Sequence, residues 1–243
     1  MIPVVLVTGA SRGLGRGIAI EAAAAGCSVA INYASNAAAA HETVELCTAA
    51  ATRPEQRFVP MKGDIGNPDD RAGLLAHTLD TFGRLDALVN NAGVLRQVTF
   101  DEGDEAMLDE LWAVNVKAPF RLIRAALPHL RRSGAGRIVT IGSTDSKRYR
   151  DGTVSIGYAM TKHAVLALSH AAKFAGWDDG VRATALLPGA TRTDLLRGIP
   201  GVVPGPGRID PDTIASAVAF LLTLPNEAAV AELPINARLE STL

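Results

Sequence analysis

An apolar run, Val4-Val5-Leu6-Val7, breaks at once into Thr8-Gly9-Ala10-Ser11-Arg12-Gly13-Leu14-Gly15, and an Ala-rich stretch over 13–25 follows. This order constrains the fold more than any other part of the chain. A short run that is apolar at every position reads as a strand covered on both faces, as in a parallel sheet. A glycine-rich turn between such a strand and a helix forms an anion site. Glycines let the backbone approach a pyrophosphate, and the free N–H groups and dipole of the helix face its charge. A tight turn alone would also use glycines. The strand before Gly9 and the helix after Gly15 favour the anion site, although the spacing is G-x-x-x-G-x-G rather than the commoner G-x-G-x-x-G.

The alternation then repeats. Strands are predicted at Ser28–Tyr33, Arg57–Met61, Ala87–Val89, Arg137–Ile141, Val181–Leu187 and Glu232–Ala237. Helices are predicted from Ala37 to Ala51, Pro68 to Phe82, Asp104 to Arg132, Ser155 to Phe174 and Pro211 to Leu224. Strands separated by helices imply an α/β fold with a parallel, doubly wound, Rossmann-type sheet of about seven strands in one domain. The stretch from Ala190 to Gly207 holds seven Gly and Pro residues and reads as a flexible lid.

Composition narrows the function. The net charge is −1, so nothing global points to nucleic acid or an anionic membrane. No apolar run approaches the ~20 residues that span a bilayer, and no cationic, apolar leader precedes Val4. The two cysteines, Cys27 and Cys47, provide no disulfide framework and read as reduced packing residues of a cytoplasmic protein. The five histidines have no ligand spacing, so no metal is expected.

The ends of the predicted strands carry the polar residues. Past the second strand come Asn32, Tyr33, Ala34, Ser35 and Asn36, where an Asp or Glu would hold a ribose 2′-hydroxyl. No carboxylate stands there to repel a 2′-phosphate, and Arg12, Ser35 and Asn36 can bond one. NADP(H) is therefore favoured over NAD(H). Ser35 and Asn36 also suit the cap of the next helix. Asp64, beside Ile65, suits either an adenine amino group or a turn. The fourth strand runs into Asn90-Asn91-Ala92-Gly93, at the carboxyl edge where open α/β sheets bind ligands. Asn115 lies inside an apolar helical stretch. It either bends the helix through a local bond or forms a polar relay under the site. The fifth strand ends at Ser143. Tyr158 and Lys162 stand four apart on a helix, with Cβ atoms about 5–6 Å apart. A neighbouring cation lowers the phenol's pKa from its ordinary value of about 10.

Taken jointly, the glycine turn, Asn90-Asn91-Ala92-Gly93, Ser143 and Tyr158…Lys162 resemble the classical short-chain dehydrogenase/reductase family over nearly the whole chain. The resemblance makes residues 1–243 a single domain, with 1–140 mainly binding cofactor and 141–243 carrying catalytic residues, lid and last strand. It implies that Gly9, Ser11, Arg12, Gly13, Leu14 and Gly15 hold the cofactor, with Asp64 and Ile65 at the adenine. Asn91, Ala92 and Gly93 would brace it. Pro188, Gly189, Thr191 and Thr193 would meet the nicotinamide and pyrophosphate. Asn115, Ser143, Tyr158 and Lys162 match the catalytic tetrad of a hydride-transferring oxidoreductase acting on a carbonyl or secondary alcohol. Ser146 is the alternative to Ser143. Tyr158 would serve as general acid or base, Ser143 as donor to the substrate oxygen, and Lys162 as the group that lowers the phenol's pKa. Asn115 would hold a water leading to solvent.

Three features depart from the pattern. The loop from Ser143 to Tyr158 is about two residues longer than in many members of the family it resembles and holds Asp145, Lys147, Arg148, Arg150 and Asp151. With Arg96 and Arg192, its charge suggests an anionic or carrier-linked substrate, or merely a solvated loop. Arg131 and Arg132 would suit an acidic carrier protein, as in 3-oxoacyl-carrier-protein reductases, or the dipole of a helix end. The end of the chain lacks the family's glycine-rich close, so the expected homotetramer is reduced to a dimer if one interface is absent. The lid carries no recognisable substrate signature. A non-catalytic NADP-binding sensor is the reading from a different class.

Overall fold

The computed structural model describes residues 1–149, 154–193, 195 and 207–238. Seven strands form one sheet in the order β3-β2-β1-β4-β5-β6-β7, and every pairing is parallel. They are β1 (Val4–Val7), β2 (Ser28–Tyr33), β3 (Phe58–Lys62), β4 (Ala87–Asn90), β5 (Arg137–Ile141), β6 (Arg182–Pro188) and β7 (Glu232–Ile235). The helices are α1 (Gly13–Ala24), α2 (Ala37–Ala50), α3 (Pro68–Phe82), α4 (Glu105–Trp112), α5 (Ala118–Ser133), α6 (Ile156–Gly176) and α7 (Pro211–Thr223).

Both faces of the sheet are buried, as the apolar strands require. Val5 and Val7 point to a core shared with α1 and α7, including Ile18, Ala22, Val218 and Leu221. Leu6, between them, points to the opposite core with Leu74, Leu122, Ile123 and Ala172 of α3, α5 and α6. Burying one such side chain fully contributes about 1.5–3 kcal/mol. Pro60 and Pro234 interrupt strands without breaking the sheet, because β3 and β7 are its two edges and a missing N–H there leaves no ladder bond unmade.

The chain reverses direction across the sheet between β1 and β4. It moves outward to β2 and β3, then returns to the other side of β1. The carboxyl ends of these two strands therefore diverge into a crevice, the ligand position of open α/β sheets. Two expectations are corrected. The helix predicted from Asp104 to Arg132 is α4 and α5 joined by a π turn, Ala113–Lys117, with Asn115 inside it. The last strand ends at Ile235, not Ala237. Most of the predicted lid, residues 194 and 196–206, lies outside the described residues, as do Arg150 and Asp151.

Candidate active site

A cleft of about 1220 Å³ opens over the carboxyl ends of the strands and runs from the glycine turn to Tyr158. Its floor at one end is the turn itself. Gly9 and Gly13 have φ of +63° and +53°, which side chains rarely adopt. Gly15 is demanded by contact: a Cβ there would lie 2.2 Å from the Gly9 carbonyl oxygen and 2.5 Å from Asn91 Nδ2. Above Gly13 a Cβ would meet nothing within 4 Å, so the turn presents open space at the start of α1. That is the cradle a pyrophosphate fits.

Neighbouring strand ends hold the turn rigid. Asn91 Nδ2 donates to the carbonyls of Thr8 (2.9 Å) and Gly9 (3.3 Å). The Thr8 hydroxyl accepts from the N–H groups of Asn91 and Ala92, both at 3.0 Å. Asn32 faces inward: its Oδ1 accepts from Gly9 N–H at 3.1 Å, and its Nδ2 donates to the Met61 and Gly63 carbonyls. It ties the glycine turn to the ends of β2 and β3, and its side-chain amide is engaged within the chain. Thr8 was not among the predicted residues. A hydroxyl directly before the turn is the signal that would have found it, as a polar residue within an apolar strand marks Asn32.

Beyond the carboxyl end of β2, the cleft is lined by Arg12, Tyr33, Ser35 and Asn36. Asn36 Oδ1 caps α2 by accepting from Ala39 N–H at 3.0 Å, so its capping role is real, and its amide hydrogens are left for a ligand. Asp64 Oδ1 accepts from Gly66 N–H at 2.8 Å, the turn role, while the residue still lines the cleft beside buried Ile65. Ser11, Leu14, Gly93, Pro188, Gly189, Thr191 and Thr193 also line it.

At the other end stand Ser143, Tyr158 and Lys162. Ser155 caps α6, accepting from Tyr158 N–H at 3.2 Å and donating to the Arg96 carbonyl at 2.7 Å, so the first turn of α6 is anchored to the loop after β4. Lys162 is buried, its Nζ 5.5 Å from the Tyr158 ring centroid and donating to the Ile141 carbonyl at 2.8 Å. Burial lowers its pKa to about 8. Ser143 begins a single 3₁₀ turn, Thr144–Ser146. Ser146, the alternative to Ser143, does not line the cleft: its hydroxyl is buried and accepts from Ser143 N–H at 3.1 Å.

Asn115 stands behind this group rather than in the cleft wall. Its Oδ1 accepts from Val94 N–H, and its Nδ2 donates to the Val94 carbonyl, both at 2.9 Å, and to Thr161 Oγ1 at 3.2 Å. A Cβ at Gly93 would lie 3.2 Å from Asn115 Oδ1 and 3.9 Å from Lys162 Nζ, so a side chain there would press Asn115 back by a few tenths of an ångström.

Three cations of the expected basic rim are paired within the chain. Arg96 is paired with Glu110, Arg192 with Asp210, and Lys147 with Glu232. Arg131 bonds Asp179 and the Ala175 carbonyl at the end of α6, and Arg132 contacts His129. Cys27 and Cys47 are buried, and burial pushes both thiols up, to about 11 and 12. Among the described residues no helix is long and apolar enough to cross a membrane, and no cluster of His, Cys, Asp or Glu could hold a metal ion.

Comparison with known proteins agrees with this geometry. Residues 3–200 match the model of the short chain dehydrogenase family. The chain is 32% identical to an agropine synthesis reductase of Rhizobium rhizogenes over 229 residues, 94% of this chain but 51% of that protein, so it spans about half the length of that relative. It is 32% identical to a 3-oxoacyl-(acyl-carrier-protein) reductase of Staphylococcus aureus over 190 residues, 78% of this chain and 75% of that one. An alcohol dehydrogenase of Thermococcus sibiricus, solved with 5-hydroxy-NADP, superposes with a TM-score of 0.86 at 30% identity, covering 97% of this chain and 96% of that one. With the parallel sheet, the glycine turn at its switch point and the matched 198-residue span, the chain belongs to the short-chain dehydrogenase/reductase family of oxidoreductases, whose members use a nicotinamide cofactor.

Proposed function

We propose that this protein is an NADP-dependent oxidoreductase that interconverts a carbonyl and a secondary alcohol, with Tyr158 as general acid or base. The observation that carries the reading is Lys162: an ammonium group buried 5.5 Å from the Tyr158 ring, beside Ser143, at the end of a cleft that begins on an anion cradle. The cradle fits a pyrophosphate at Gly9–Gly15, and Asp64 and Ile65 fit the adenine. Arg12, Ser35 and the Asn36 amide fit a 2′-phosphate, for which no carboxylate at this edge substitutes.

When bound, the cofactor supplies or accepts the hydride. The chain handles the proton and the developing charge. In reduction, Tyr158 gives its phenolic proton to the carbonyl oxygen, and in oxidation it takes the proton of the alcohol. Ser143 donates to the same oxygen and stabilises the charge on it. Lys162 favours the phenolate electrostatically and is available to ribose hydroxyls. Asn115 acts by position, holding the Val94 segment. Its two amide hydrogens are committed, so a water leading toward Lys162 is left to the main chain of the π turn, whose hydrogen bonding is offset from the α pattern.

The carrier-protein alternative loses support at the residue level, since Arg131 and Arg132 are engaged within the chain. The decisive experiment follows NADPH and NADH absorbance across a panel of ketones, hydroxy-ketones and oxoacyl thioesters. Turnover with NADPH that Tyr158→Phe abolishes, while cofactor binding survives, is the expected result. Tight binding with no turnover on any substrate would instead favour a sensor.

A further inference from the structure

Glu232 opens β7, an edge strand of the sheet, and its carboxylate joins two elements of the active site. Its Oε2 is paired with Lys147 Nζ at 2.5 Å, and its Oε1 lies 2.9 Å from His170 Nε2. Lys147 closes the 3₁₀ turn that Ser143 opens, its N–H donating to the Thr144 carbonyl at 3.3 Å. His170 lies further along α6, the helix that carries Tyr158 and Lys162. An imidazole donates at Nε2 when charged and in one of its neutral tautomers. Glu232 therefore ties the Ser143 turn to the helix of Tyr158 and Lys162.

A carboxylate on an edge strand has a simpler use, since charge there discourages pairing with another sheet. That use needs no partner. A single exposed ion pair also contributes little, whereas several charges in a network contribute more. Here one carboxylate, its side chain 24% exposed, is shared by groups from two other elements. The Lys147 hydrogen bond, with the charges of Lys147 and His170 behind it, holds the Glu232 carboxyl below its ordinary range against the opposing effect of burial. The near end of the turn is fixed separately. Gly142 N–H donates to the Leu186 carbonyl at 2.8 Å, and Ser143 N–H to Ser146 Oγ at 3.1 Å. The far end has the Lys147–Glu232 pair. Ser143 and Tyr158 address one substrate oxygen, so an error in the spacing between turn and helix falls on the rate. A misplacement of about 1 Å costs on the order of a hundredfold.

We propose that Glu232 is a positioning residue. By holding Lys147 and His170 together it sets the Ser143 turn against α6, so that the Ser143 hydroxyl and the Tyr158 phenol reach the same oxygen. This rests on the hydride-transfer reading above. Glu232 does not line the cleft and takes no proton from the substrate.

The test compares the wild type, Lys147→Arg, Lys147→Met, Glu232→Gln and the double variant Lys147→Met/Glu232→Gln. Each is assayed with NADPH and the member of the panel above that the wild type reduces fastest. Glu232→Gln should lower kcat by roughly three- to tenfold and leave KM for NADPH within about twofold, because the glycine turn is a separate site. Lys147→Arg keeps the cation and should keep kcat. The double variant should be no slower than Glu232→Gln, because one contact is lost only once. Hydrogen exchange gives a readout without substrate. In Glu232→Gln the amides of residues 143–147 should exchange faster, and those of Gly9–Gly15 should be unchanged. Unaltered exchange in the Ser143 turn, wild-type kcat in Glu232→Gln, additive losses in the double variant, or Lys147→Arg as slow as Lys147→Met each overturn the positioning role and leave hydride transfer standing. So does faster exchange throughout Glu232→Gln, which would make its role general stability. A wild type without turnover across the whole panel overturns hydride transfer and this inference with it.

Discussion

Lys162 bears a desolvation cost that the rest of the site explains. Its pKa of about 8 is lowered by burial from an ordinary 10.5, so the folded protein releases this proton before the unfolded chain does. Its penalty on stability is fully present below about pH 8 and is relieved as pH rises towards the unfolded value. Lys162→Met removes the penalty along with the chemistry. In urea unfolding, the stability difference between variant and wild type should shift by about 2–3 kcal/mol in favour of the wild type between about pH 7 and pH 10. A pH-independent difference would mean that the ammonium group is solvated. Arg12 is the second informative residue. It lines the end of the cleft proposed for the ribose, where its cation would meet a 2′-phosphate. Arg12→Ala should raise the dissociation constant for NADPH roughly tenfold or more and leave that for NADH within about twofold. Equal losses for both cofactors would assign Arg12 to the pyrophosphate.

The π turn between α4 and α5 is the element on which the back of the site depends. A π turn inserts a residue into helical spacing, which brings Asn115 to Val94 instead of leaving it against its own helix. Asn115→Ala would strand the part-buried Val94 N–H and carbonyl, and a buried unpaired group costs about 1–3 kcal/mol. Thermal unfolding should therefore show a loss of about 1–3 kcal/mol, together with reduced turnover. Unchanged stability would mean that Val94 finds other partners. This element also marks where the sequence stops being legible. The strands and most helices follow from apolar periodicity, and the glycine turn follows from its place between β1 and α1. Periodicity over so few residues does not register a shift from i→i+4 to i→i+5 bonding, so α4 and α5 read as one helix. That Ser143 rather than Ser146 lines the cleft was legible from the end of β5, because the strand's register decides which side chain leaves the sheet first. The burial of Asp145 beside Ser143 was not, since charge along a loop says nothing about the direction of a side chain in a 3₁₀ turn. The pairing of Arg96, Arg192 and Lys147 was hidden for a similar reason: Glu110, Asp210 and Glu232 are distant in sequence and adjacent only after folding.

At the scale of the molecule, the outer face of α6 presents exposed apolar side chains. On α6 the exposed positions include Met160, Ala167, Ala171 and Phe174, repeating at helical spacing. Met160 is 46% and Phe174 80% exposed, while the opposite face of the helix is packed into the core. Large apolar side chains aligned on one face mark an interaction site more often than solvated surface. The small residues between them let another helix approach closely. A second copy of this chain, related by a two-fold axis that sets α6 against its counterpart, satisfies both requirements. The active site would gain rigidity from this contact, because Tyr158 and Lys162 lie on the inner face of the same helix. The prediction is that the wild type sediments as a dimer or tetramer and that Ala167→Glu at least halves its mass, since a buried unpaired carboxylate in the contact is strongly unfavourable. Far-ultraviolet circular dichroism should be unchanged, because Ala167 faces away from the core. An unaltered mass for Ala167→Glu, or a monomeric wild type, would remove α6 as the axis of assembly.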